Sequence, residues 1–61
     1  MKLEMAKRIL AENGIRWDHL SELIFIERAV SNWEGRERIK AAIEVAKQAE
    51  NDRLWRAMAH N

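Results

Sequence analysis

Only two residues in this chain are suited to interrupting a helix. Gly14 and Gly35 are its only glycines, and it has no proline. The rest is rich in Ala, Glu, Arg, Lys, Leu and Ile, which enter helices at little cost. A chain punctuated at two points and helical elsewhere is expected to be all-α. In 61 residues that means a small three-helix up-down-up bundle with a long third helix, forming one helical domain. This length is near the limit at which a single core suffices. With no cysteine, neither a disulfide nor a thiolate metal site can staple it. Stability must come from helix packing, with assembly into a helical homodimer as one way to add to it.

The first helix is expected over about 2–13. Leu3, Ala6 and Leu10 fall at i, i+3 and i+7, Met5 and Ile9 widen the stripe, and Glu4 faces Arg8 at i,i+4. Asn13-Gly14 closes it, since glycine takes the left-handed conformation freely and Ile15 can fold back onto apolar surface. The second helix, about 18–31, would be capped by Asp18. Its end reads in two ways. Ser31-Asn32-Trp33-Glu34 fits a capping box that opens the third helix, the preferred reading; Gly35 as the residue after a longer second helix is the alternative. The third helix is expected over about 34–59, with Ile39, Ala42, Ile43, Ala46 and Ala49 facing inward. Glu37–Lys40, Glu44–Lys47 and Glu50–Arg53 pair along it at i,i+3. Leu54, Trp55 and Met58 drift off that stripe. A helix about twice as long as the first would overhang there.

The segment from Trp17 to Trp33, WDHLSELIFIERAVSNW, reads as the central helix. At about 100° per residue, Trp17, Leu20, Leu23 and Ile24 gather on one side. Phe25, Ala29 and Trp33, at i, i+4 and i+8, form a second stripe roughly opposite, with Ile26 and Val30 between. A helix apolar nearly all round must be covered nearly all round, so this one is expected to meet a partner as well. Tryptophan buries much area at low entropic cost and is a frequent interface anchor. The expected contact is therefore Phe25, Ala29 and Trp33, extended by Ile26 and Trp55. The LxxLL-like spacing of Leu20-Ser21-Glu22-Leu23-Ile24 is accounted for by core packing.

Charge argues against some function classes. Eleven basic and ten acidic residues give a net charge of +1, with no basic cluster of the kind that draws a chain to duplex DNA. No apolar run is long enough to span a bilayer, and MKLEMAKRIL lacks the apolar core of a signal peptide, so a soluble, cytoplasmic protein is expected. His19 and Glu22 have the i,i+3 spacing of half a metal site, but a full site takes at least three ligands. Ser21 and Ser31 have no histidine on their own helix face, and the glycines stand alone, so neither a nucleophile nor a phosphate loop is expected. No catalytic residue, cofactor or metal follows from the sequence.

The segment ILAENGIRWDHLSELI resembles the turn of a DNA-binding helix-turn-helix, with Gly14 and Ile15 followed by Leu20 and Leu23. That resemblance implies a small DNA-binding domain as the alternative function. Leu10 stands where that motif takes a small residue, and Asp18, Glu22 and Glu27 would face phosphate with only Arg16 and Arg28 to offset them. The reading carried forward is a non-enzymatic helical module that binds another protein or itself. Composition does not separate a natural regulator from an engineered binder, since a designed scaffold would equally lack cysteine.

Overall fold

The computed structural model describes residues 1–32 and 34–59. Among them are three helices and no strand: α1 (Leu3–Glu12), α2 (Leu20–Val30) and α3 (Glu37–Ala59). The all-helical class expected from the punctuation is the one observed.

α1 stops where Gly14 lets it. The N–H of Ile15 donates to the Leu10 carbonyl at 2.8 Å, and that of Gly14 to the Ala11 carbonyl at 3.1 Å. This pair of bonds is a Schellman closure, which requires a positive φ between them. Gly14 supplies it at +70°, and Asn13 Nδ2 satisfies a further carbonyl, that of Ile9, at 2.7 Å. Gly35 likewise sits at φ +75° in the second connection.

The other helix starts differ from expectation. Asp18 does not cap α2. His19 takes the N-cap position in extended geometry, and the Asp18 carboxylate accepts from Arg16 Nε at 3.4 Å. The capping box at 31–34 does not form either. Ser31 ends α2 in right-handed helical geometry, its N–H donating to Glu27 and its Oγ to the Arg28 carbonyl at 2.8 Å. α3 begins at Glu37 rather than 34, the Arg36 carbonyl accepting from the Lys40 N–H. A serine hydroxyl that bonds back into the preceding turn closes a helix as readily as it opens one.

The organising element is α3, not α2. α1 and α2 each pack on α3, and their backbones do not approach each other closely. Leu3, at the start of α1, shares a groove with Ala49, Asp52, Arg53 and Arg56, whereas Ile9 and Asn13 at its end lie beside Arg36 and Ile39. α2 has the same sense. Leu20 and Ile24 lie beside Gln48 and Asn51, while Ala29 and Val30 lie beside Arg36 and Ile39. Both helices therefore run antiparallel to α3 and in the same direction as each other, which corrects the up-down-up order. The expectation mistook residues 14–17 for a tight reversal. They belong to a non-helical return segment between Glu12 and Leu20, which at about 3.3 Å per residue can pass back along the bundle. Ile15 lies at its Ile39 end, and Asp18 is near enough to Arg53 at the other to favour its charge. Ile15 and Trp17 pack against the core on the way, and the Lys7 ammonium sits 4.1 Å from the Trp17 ring centroid, joining α1 to this segment.

Leu10, Leu23, Val30 and Ile43 are fully buried, and Ala6, Ala42 and Ala46 beside them let the backbones approach closely. Met5, expected to widen the α1 stripe, is exposed instead. The inward stripe of α3 continues from Ala46 to Glu50, which is only 5% exposed. Arg53 reaches over it from solvent, Nη2 donating to the Glu50 carboxylate at 2.9 Å and Nε to both its oxygens at 3.2 and 3.3 Å. From Asn51 to Ala59 every residue is exposed. The overhang expected of the third helix is thus present, in a molecule measuring 43 × 21 × 17 Å. No described helix is long and apolar enough to cross a membrane.

Candidate functional site

Among the described residues, the large apolar side chains most exposed to water are on α2 and on the projecting part of α3. Phe25 is 72% exposed. Leu23 and Val30, on the other side of α2, hold the helix to the core at 0% exposure, so Phe25 is carried outward by helical geometry. Ala29, one turn later, is exposed on the same face. The structure therefore brings these two expected contact residues together. Trp33, the third member of that stripe, lies outside the described residues.

The two proposed extensions go elsewhere. Ile26 is half-buried against the core and shares a groove with Ile15, Val30 and Ile39, so it does not belong with Phe25. It points to the side on which the return segment packs, a neighbour that an up-down-up bundle lacks. Trp55 is 62% exposed on α3, beyond the start of α2. It lies one helical turn past Asn51, which lines a groove of about 340 Å³ with Leu20, Ile24, Glu44, Lys47 and Gln48. Ile24 was expected in the core beside Leu20 and Trp17; it is 37% exposed at the edge of this groove. Sequence reasoning also left out Leu54 (36% exposed) and Met58 (67%) as candidate contacts. Their departure from the inward stripe was the available signal.

Charge closes one wall of the groove. Lys47 Nζ donates to both Glu27 carboxylate oxygens, at 2.8 and 3.1 Å, and stands 3.3 Å from Glu44. The hydrogen bond from Lys47 lowers the Glu27 pKa below its usual value, and the same bond raises that of Lys47. At the start of α2 the Arg16 hydrogen bond lowers the Asp18 pKa.

One chemical expectation is corrected. Ser21 Oγ lies 3.2 Å from His19 Nδ1, although residues two apart on a helix do not face each other. His19 is in extended geometry just before the helix, so the helical rule does not govern it. The contact is exposed, and the neighbouring acid Asp18 is turned to Arg16. Among the described residues no three His, Cys, Asp or Glu side chains gather closely enough to hold a metal ion.

The helix-turn-helix geometry is also absent. That motif sets two helices against each other across a turn of about three or four residues. Here the backbones of α1 and α2 stay apart, and the longer return segment lies between Glu12 and Leu20. The chain matches no protein-family model, no curated protein and no solved structure.

Proposed function

We propose that this chain is a non-enzymatic helical interaction module that takes another protein, or a second copy of itself, on the outer face of α2. The observation that supports this most is Phe25, a large aromatic side chain in water on a helix whose opposite side already supplies the core. Burying such a side chain is worth about 1.5–3 kcal/mol, a gain the isolated chain does not collect. Ala29 flattens the surface beside it, and Glu22 and Arg28 form a charged rim of the kind that borders interface cores.

The test is Phe25→Ala, followed by circular dichroism, thermal melting and sedimentation equilibrium. Helicity and the melting midpoint should stay as in the parent chain, while the association that uses this face, with another protein or in oligomers larger than a dimer formed elsewhere on the chain, weakens by more than about 1 kcal/mol. Loss of helicity would show that Phe25 supports the fold, and the proposed face would then be wrong.

A further inference from the structure

The projecting part of α3 carries an apolar strip distinct from the Phe25 face. We propose that a second copy of this chain docks antiparallel along Leu54, Trp55 and Met58, giving a two-fold dimer. This rests on the reading of the chain as an association module, but commits to a different surface and to one occupant.

Asn51, Leu54, Trp55 and Met58 stand at i, i+3, i+4 and i+7, so they share one face of α3. Their direction is fixed by neighbours in the fold. Gln48 and Asn51, two turns and one turn before Trp55, border Leu20 and Ile24 of α2, whereas Arg53 and Arg56 border Leu3 of α1. The strip is thus a straight continuation of the track on which α2 lies. α2 begins at Leu20, level with Asn51, and past that point no helix among the described residues lies on the track, whose residues are exposed.

Three features favour a second copy as the occupant. The strip holds no charged residue, because Asp52, Arg53 and Arg56 fall on the rest of the helix surface. Two copies therefore meet there without opposed like charges, and a charged partner would find no counter-charge. The area is also that of a small dimer. With Trp55 and Met58 mostly exposed and Leu54 and Ile24 about one-third exposed, each copy offers on the order of 500 Å² including its polar edge. A pair buries about 1,000 Å², the lower bound for a specific interface, so a weak, concentration-dependent dimer is expected. Finally, antiparallel pairing between residues 54 and 55 sets the second copy's Met58 against Asn51. That places a flexible, polarisable side chain at the mouth of the 340 Å³ groove.

Sedimentation equilibrium from micromolar to millimolar concentration, with circular dichroism as a control, tests this on the parent chain, Trp55→Glu and Phe25→Glu. The parent should dimerise, Trp55→Glu should raise the dissociation constant at least about tenfold, and Phe25→Glu should dimerise as the parent does. A parent that stays monomeric at millimolar concentration overturns the inference and leaves the Phe25 face for a foreign protein. Dimerisation lost in Phe25→Glu but kept in Trp55→Glu overturns it too, and makes the outer face of α2 the self-contact. A cysteine probe reads the same surface without adding charge. Since the chain has no cysteine, Leu54→Cys should oxidise to a covalent dimer at least about ten times faster than Ser21→Cys. Equal rates would overturn the proposal.

Discussion

The two halves of α3 are one continuous helix with opposite relations to water. From Ile39 to Glu50 the stripe at 39, 42, 43, 46 and 50 is buried, flanked by α1 and α2. From Asn51 to Ala59 no residue is buried, although Leu54, Trp55 and Met58 are as apolar as anything in the first half. Continuing the buried stripe by whole turns leads to Arg53 and Ala57, and the large apolar residues lie to one side of it. The contrast teaches that α3 carries two apolar faces. One is satisfied within the chain, and the other is aligned with the track of α2.

The largest expected effect follows from the buried half. Ile43→Ala removes a side chain at 0% exposure from between helices and should cost about 2–5 kcal/mol in urea denaturation. A chain of this size is stable by only about 3–9 kcal/mol, so the variant would lose much of its folded population. Trp55→Ala, at concentrations too low for association, should change stability by less than about 0.5 kcal/mol. Comparable losses at both positions would end the distinction between the two halves.

A middle-sized effect probes how α1 is laid on the buried half. Gly14→Ala forces a residue with a Cβ to φ +70°, at a cost of about 1–2 kcal/mol. Nothing lies within 4 Å of the added Cβ, so the loss is conformational alone. Gly14→Asn should accordingly recover part of it, because asparagine tolerates that region better. Equal destabilisation by Ala and Asn in urea melts would mean that something other than backbone conformation sets the cost.

These residues also show what was legible in the sequence. Gly14 announced the end of α1 because only one local structure joins a left-handed residue to a following apolar side chain at a helix end. The inward stripe of α3 was legible from its spacing as far as Ala46, but it was expected to end on Ala49, which is half-buried, and Glu50 takes the next buried position. Glu50 was read as half of a surface pair because Arg53 stands at the right distance for one. Helix direction was not legible. Residues 13–19 hold turn formers and apolar residues in a pattern equally suited to a tight reversal and to a packed return strand, and the choice depends on Ile15 and Trp17 finding the core. Of the contact residues read from the sequence, Phe25 and Ala29 do share an exposed face, since the turn of one helix decides that. Ile26 and Trp55 were misplaced because their surroundings depend on how three helices and a connection come together.

The smallest expected effect is electrostatic and belongs to the seam between α2 and the buried half of α3. Glu27 and Lys47 join those helices, and their side chains are 36% and 28% exposed, so the pair is worth a few tenths to about 1 kcal/mol at neutral pH. The Glu27 pKa is lowered in the folded chain, so its contribution is present above the usual carboxylate value of 4.5 and fades as pH falls through the lower folded value. The Lys47 pKa is raised, so its contribution is complete below the usual 10.5 and fades as pH rises through the higher folded value. Lys47→Met should therefore be less stable than the parent in urea melts near neutrality, and the gap should narrow at both acidic and alkaline extremes. Added salt should shrink the neutral gap as well. A gap that ignores pH and salt would mean that Lys47 contributes through packing of its methylene stem, and the seam would then be held by apolar contact, as the buried half of α3 is.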